Sequence, residues 1–347
     1  MKKILFLLLI SLTFACKKTE PVPHEEVLRD LSSNLLRPNH ETFNNDVDSL
    51  FYYVQEIHNQ NFDPYNIQKV KEYFSSVLFS WNNINFFETE AIATTYIHFR
   101  IHKWPVDSAY ILATTQSTTT IDSSLIVNQS SRRKGLSALE YLLFREHAFD
   151  TLQVSSQSRE YLFQTTSILK NHKDRLKSMW EATEYSNFEN NEGSGVYTAS
   201  NFFYNNYVLK LELMLHEKLG IPSGLDQNTT LDLNMVESNF ALQSLAILRQ
   251  DILIMLRVFE GYNGKGLADI CRSNGGENTA NLILEKWYSI LQKVNALQSI
   301  NLRNAILNES AAIQTIYLEL KSLLSYIKYD LPQFMSATLL YSSNDGD

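Results

Sequence analysis

The sequence contains few of the residues that interrupt helices. Its 347 residues include only 11 glycines and 7 prolines, and a chain so poor in these residues favours long helices over many short strands. Leucine, serine, asparagine, glutamate and aromatic residues are plentiful instead. We therefore predict an all-α protein, long enough for one large domain or two ordinary ones.

Several functional sequence patterns are missing as well. No long basic run occurs and the formal net charge is −8, so nothing supports nucleic acid as a partner. The helical zinc motif His-Glu-x-x-His and the hydrolase motif Gly-x-Ser-x-Gly are both absent. Only two cysteines occur, Cys16 and Cys271. Because we assign Cys16 to lipid attachment below, we expect no intramolecular disulfide.

The first residues resemble a targeting segment. Lys2 and Lys3 precede an apolar run at 4–12, and residues 13–16 are Thr-Phe-Ala-Cys. This order is typical of a lipoprotein signal peptide, here 1–15, cleaved before a lipid-bearing Cys16. The alternative is a plain secretory signal with an incidental cysteine. The apolar run is too short for an ordinary transmembrane helix.

The residues after Cys16 predict how the protein is anchored. Lys17, and not aspartate, follows the cysteine, which resembles lipoproteins sorted to the outer membrane. Residues 16–27 are polar and contain two prolines, and we predict that they tether the lipid to the folded chain. The expected location is the cell envelope, on either the periplasmic or the outer face of the outer membrane.

Apolar residues recur at helical spacing through most of the remaining chain. This spacing predicts helices over 28–36, 42–60, 67–84, 88–104, 158–185, 200–219, 279–297 and 305–329. Pro38 is predicted to stop the first of them, and Gly220 with Pro222 to stop the helix over 200–219. Asparagine, glutamate, glycine and serine cluster at 187–195, which predicts a linker between two helical units.

One further helix, within 132–144, is apolar on nearly every side and yet contains Glu140. Such a helix is expected to be buried. Burying an ionised carboxylate costs free energy unless a cation, a metal or several hydrogen-bond donors meet it. The residues alone leave two interpretations open: half of a structural ion pair, or a functional carboxylate.

A second candidate pattern is His98 with His102, four residues apart on one helix face. This spacing can hold a metal, but Phe99 stands where the zinc motif has its glutamate. Two histidines at a helix interface fit the pattern better. Pro105 is predicted to end that helix, and Asp107 to cap the next one.

Together these segments resemble the imelysin-like family of bacterial envelope proteins. Residues 135–144, Gly-Leu-Ser-Ala-Leu-Glu-Tyr-Leu-Leu-Phe, are similar to the family signature, Gly-x-His-x-x-Glu followed by an aromatic residue and two leucines. Gly135 and Glu140 match it, whereas Ser137 stands in place of the histidine. The Trp-Pro-x-Asp turn at 104–107, the Glu-Ser pair at 237–238 and Ser-Leu-Ala at 244–246 also resemble the family.

The resemblance implies two antiparallel helical bundles with a functional cleft between them. The N-terminal bundle would be 28–186 and the C-terminal bundle 196–347, joined by the linker at 187–195. The cleft residues implied are Glu90, Trp104, Asp107, Gly135, Ser137, Glu140, Glu237, Ser238 and Ser244. Glu140 is the candidate metal ligand, and a divalent metal or iron is the candidate cofactor.

Three functions are compatible with this resemblance. The family is associated with iron acquisition, which implies an envelope-anchored, non-catalytic binding or accessory protein working with an iron or metal uptake system. Imelysin itself is catalogued as a metallopeptidase, and the third function is a scaffold whose site has decayed. A peptidase metal needs three protein ligands and a base, and Ser137 offers only a weak neutral oxygen. We therefore expect the binding protein, with no catalytic residue.

The lipid anchor gives a direct test. Cys16→Ala removes the only thiol at the predicted cleavage site, so the variant should not incorporate a clickable fatty acid when expressed in a bacterium that lipidates lipoproteins. The measurement is in-gel labelling after affinity purification. Equal labelling of the wild type and the variant would rule out the lipoprotein assignment.

Overall fold

The protein is built from helices. The computed structural model describes residues 20–59 and 62–340, and within these ranges no residue lies in a β-strand. The signal peptide and Cys16 lie outside the described residues. The α-helices are α1 (His24–Leu31), α2 (Arg37–His58), α3 (Pro64–Ile84), α4 (Glu90–Ala93), α5 (Ile97–Ile101), α6 (Ser108–Gln116), α7 (Ser123–Val127), α8 (Gly135–Phe144), α9 (Ala148–Val154), α10 (Ser156–Met179), α11 (Tyr185–Glu189), α12 (Ala199–Leu213), α13 (Ile221–Ser223), α14 (Ser244–Glu260), α15 (Leu267–Ser273), α16 (Glu277–Ala296), α17 (Leu302–Asn308), α18 (Ser310–Ser325) and α19 (Pro332–Met335).

Wider π-helical turns join several of these helices end to end. They lie at Ser32–Leu36, Trp180–Glu184, Met214–Gly220 and Tyr326–Asp330. The first turn explains why the helix does not stop at Pro38 as predicted: Pro38 lies in the first turn of α2, where the wider preceding turn accommodates a residue without an N–H group. The prediction at Gly220 and Pro222 is wrong for the same reason. That helix continues to Ser223 and ends at Gly224, which has a left-handed φ of 69°.

The helices form two bundles, as predicted. In the first, α2 packs along α3 and α10, and α8 packs against α10 and α3. In the second, α14, α16, α18 and α12 pack in succession. The bundles meet where α3 packs against α14. The buried apolar side chains of both bundles belong to one continuous core, so the exact division at 187–195 stays a prediction.

The segment between α3 and α6 differs from the single helix predicted over 88–104. Tyr96 has a left-handed φ of 53°, which separates the short helices α4 and α5. The break keeps Ile92, Ile97 and Ile101 buried in the core. Among residues 20–59 and 62–340, every helix is too short or too polar to span a lipid bilayer.

Candidate functional site

The signature helix α8 packs very closely on the end of α5. Gly135 opens α8 with a left-handed φ of 64°, and a Cβ atom there would lie 2.3 Å from the carbonyl oxygen of Ile101. Only glycine tolerates both the backbone conformation and the contact. The Ser137 hydroxyl then donates a hydrogen bond of 2.8 Å to the carbonyl oxygen of Lys103. Both residues therefore fix α8 against the segment that follows α5.

Glu140 holds a loop of the second bundle. Its Oε1 accepts hydrogen bonds of 2.8 Å from the backbone N–H groups of Phe240 and Ala241, and the side chain is buried. Within the described ranges, no lysine, arginine or histidine forms an ion pair with this carboxyl group. A buried carboxylate needs a cation, a metal or several hydrogen-bond donors. Glu140 meets this requirement with backbone donors.

The protonation of Glu140 reflects this environment. Burial raises its pKa to about 7, whereas the hydrogen bonds from the Ala241 and Phe240 amides and the nearby Ser238 hydroxyl act to lower that pKa. Burial wins because removing a carboxylate from water opposes ionisation more than two amides favour it. The Ser238 oxygen, which is buried, makes no hydrogen bond of ordinary geometry within the described part of the chain.

A cavity of about 370 Å³ lies beside Glu140, between α8 and the loop before α14. We name it the signature cavity. Four predicted site residues line it: Trp104, Ser137, Glu140 and Ser238. The other lining residues are Pro105, Val106, Ser108, Arg132, Asp232, Asn234, Met235, Val236, Asn239 and Phe240.

The other predicted residues have different surroundings. Asp107 caps α6 by accepting the Tyr110 N–H, and it pairs with Arg133 at 2.7 Å, a contact that lowers the pKa of Asp107. Ser244 accepts the backbone N–H of Leu302 at 3.1 Å. Glu90 is exposed at the start of α4. These three residues therefore stand in structural or surface positions in this structure.

Glu237 turns away from its neighbour Ser238 and joins a buried cluster of four charges. Lys218 contacts Glu237 at 2.7 Å and also pairs with Asp251, while Lys210 contacts the other oxygen of Asp251 at 2.7 Å. All four side chains are at most 4 % exposed. We name these residues, Lys210, Lys218, Glu237 and Asp251, the charge cluster.

The opposite charges of the cluster offset part of the cost of burying it. Burial alone would raise the pKa of Asp251 and lower that of Lys218, but the opposite charges shift both groups the other way and favour their ionised forms. For Lys210 and Glu237 burial outweighs the pairing, so the pKa of Lys210 is lowered and that of Glu237 raised. Two positive and two negative groups then satisfy one another in place of water.

A second cavity, of about 330 Å³, also has Trp104 in its lining, and both lysines of the cluster line it. We name it the lysine cavity. His98 and His102 also line it, as does Glu88, which lies 3.3 Å from His98. His102 follows the last residue of α5 with an extended backbone, so the two histidines do not share one helix face as their spacing predicts.

Sequence reasoning missed Lys210, Lys218 and Glu88. A signal for the lysines was present: Tyr207, Lys210 and Met214 follow one another at helical spacing, so Lys210 falls on a stripe of core positions. Asp251 likewise falls on the apolar stripe of α14. Opposite charges on two core-facing stripes predict a buried ion pair.

The signature cavity does not fit a peptidase metal centre. Within residues 20–59 and 62–340, no three histidine, cysteine, aspartate or glutamate side chains converge as metal ligands. One oxygen of Glu140 already accepts two N–H groups, and the Ser137 hydroxyl donates to a carbonyl. A catalytic zinc needs three protein ligands and an open position, and the groups around this cavity do not supply them.

The fold and the signature helix define a two-bundle helical protein of the imelysin class. The Imelysin family model, of peptidase family M75, matches residues 39–327. The chain therefore belongs to the imelysin family. No curated protein matches it.

Solved structures give the same fold. An imelysin-like protein from Psychrobacter arcticum 273-4 is 13% identical, with a TM-score of 0.71 over 93% of this chain and 99% of that one. A predicted iron-regulated protein A precursor from Parabacteroides distasonis ATCC 8503 is 12% identical, with a TM-score of 0.73 over 91% of this chain and 97% of that one. At these identities the likeness concerns the fold.

The two hydrogen bonds to Glu140 lead to a stability prediction. Glu140→Ala leaves the partly buried N–H groups of Phe240 and Ala241 without an acceptor, so the free energy of unfolding should fall by about 3 kcal/mol. Glu140→Gln keeps a carbonyl oxygen for both N–H groups and should lose less than half as much. Chemical denaturation at neutral pH measures both losses. Equal losses for the two variants would contradict the role of the acceptor.

The same variants test the raised pKa of Glu140. A pKa near 7, above the ordinary 4.5, means that the folded state binds the proton more tightly than the unfolded chain. The resulting stabilisation is complete below about pH 4.5 and is lost as the pH rises through about 7. The wild type should therefore lose stability relative to Glu140→Gln across this window. A constant difference would show that Glu140 ionises normally.

Proposed function

We propose that this protein is an exported, lipid-anchored binding protein of the bacterial envelope that takes part in iron uptake without hydrolysing a substrate. The observation that carries the proposal is the state of the signature carboxylate. Glu140 accepts two backbone N–H groups of the opposite bundle, so its role is to hold the two sides of the site together. A group used in this way is poorly suited to act as a metal ligand or a general base.

Three further observations support the proposal. The family association with iron acquisition agrees with the name of the Parabacteroides neighbour, an iron-regulated precursor. The basic, apolar and Cys16-containing start of the chain fits export and lipid anchoring. The signature cavity and the lysine cavity, both lined by Trp104, provide space for a small ligand.

The metallopeptidase remains the second candidate, because the matching family model has a peptidase name. The donor groups around Glu140 argue against it, since the histidine position of the signature holds Ser137. A decayed scaffold would need neither cavity to bind a ligand. The three functions therefore differ in hydrolysis, in ligand binding and in the effect of gene loss.

The test is growth under iron limitation. Deleting the gene from its host should slow growth in medium containing an iron chelator, and a plasmid copy of the wild type should restore it. Cys16→Ala should restore growth less well, because the unanchored protein is no longer held at the membrane. Growth curves at several chelator concentrations measure the effect.

The control is the same set of strains in iron-replete medium, where growth should be equal. Identical growth of the deletion strain and its parent under iron limitation would contradict the iron role. Cleavage of a peptide library by the purified protein with added zinc or iron, lost in Glu140→Gln, would establish the peptidase instead.

A further inference from the structure

The lysine cavity combines apolar walls with a few polar groups on one side. Large apolar surfaces come from Trp81, Phe86, Trp104 and Leu213, and the volume of about 330 Å³ is typical of a small-molecule site.

Lys210 has a hydrogen-bond donor to spare. Its ammonium donates to Asn85 Oδ1 at 3.1 Å and contacts Asp251 at 2.7 Å. An ammonium has three N–H groups, so one of them has no partner among the described residues. Lys218 differs, because Asn82, Asp251 and Glu237 already surround its ammonium. The buried side chain of Lys210 therefore presents an unsatisfied positive donor at the cavity wall.

The charges around the cavity are arranged unevenly. Glu237 and Asp251 pair with the lysines but are not part of the lining, whereas Lys103, Lys210 and Lys218 are. This order places the positive ends of the ion pairs toward the cavity. An anion entering it would therefore meet ammonium groups before it meets the acids behind them.

The remaining titratable groups carry little opposing charge. Burial, together with the nearby lysines, lowers the pKa of His98 to about 4 and that of His102 to about 3, so both rings are neutral at pH 7. Burial raises the pKa of Glu88 to about 7, so its carboxyl group is about half protonated there and carries less than a full negative charge. The lining is therefore electropositive at neutral pH.

We propose that the lysine cavity binds a small organic anion with a flat apolar body, whose carboxylate contacts the free N–H of Lys210 while its body lies between Trp81 and Trp104. This inference rests on the proposed binding function and gives it a ligand class. A cationic ligand would instead face unfavourable charge, and a fully apolar one would leave Lys210 without its third partner.

The test compares a carboxylate with its neutral amide. The full chain carrying Cys16→Ala, which lacks the lipid acceptor, is titrated calorimetrically with 2-naphthoate and with 2-naphthamide. Naphthoate should bind at least about tenfold more tightly, as expected for one charge-assisted hydrogen bond. Lys210→Met should reduce naphthoate binding to the level of the amide, while Asp251 keeps its contact with Lys218.

A second variant leaves the charge cluster intact. Ala93 lines the cavity, so Ala93→Trp should fill it and weaken naphthoate binding by about tenfold or more. Ala91 is exposed on the same short helix and lies outside the lining, so Ala91→Trp is the matched control and should bind normally. Thermal unfolding checks that each variant is folded.

Three results would overturn the inference: no binding of either compound, equal binding of both, or equal losses in Ala93→Trp and Ala91→Trp. These outcomes are separable from the iron role. A growth defect without naphthoate binding refutes this ligand class alone, and naphthoate binding without a growth defect refutes the iron role alone.

Discussion

The charge cluster is the constraint on which the rest of the site depends. Lys210 lies on α12, Lys218 on the π-helical turn that continues it, Asp251 on α14, and Glu237 on the loop between them. Burying four charges is costly, and removing one partner of such a pair typically destabilises a protein by about 3–5 kcal/mol. These elements must therefore keep one relative position. That position also fixes the loop before α14, whose Phe240 and Ala241 N–H groups donate hydrogen bonds to Glu140.

Two neighbouring residues of this loop serve opposite sides of the site. Glu237 turns into the charge cluster, and Ser238 lines the signature cavity beside Glu140. Trp104 lines both that cavity and the lysine cavity. The signature helix thus connects the two bundles through the hydrogen bonds of Glu140. The buried lysines line the lysine cavity instead. Nothing in this arrangement requires Glu140 to perform chemistry.

The helical fold could be predicted from the sequence because apolar spacing and the scarcity of glycine and proline are local properties. Helix ends were harder to predict from the sequence. The π-helical turn before Pro38 depends on tertiary packing, which a short stretch of sequence does not reveal. The burial of Glu140 could be predicted because the helix around it is apolar. Its hydrogen-bond partners could not, because they are backbone N–H groups of a distant loop, and every residue type except proline has such a group. Lys210 and Asp251 were visible as charges at core positions, yet their pairing depends on how α12 meets α14.

The charge state of Lys210 and Lys218 is the most direct test of this electrostatic arrangement. Heteronuclear NMR of protein with ¹⁵N-labelled lysine reports whether each Nζ is an ammonium or a neutral amine, and Lys210→Met and Lys218→Met identify the two signals among those of the four buried lysines in the described ranges. We expect both to be ammonium groups at pH 7, held by Asp251 and Glu237 and protected from rapid exchange with water. A neutral amine at Lys210 at that pH would contradict this arrangement, because the lysine cavity would then lack its positive wall.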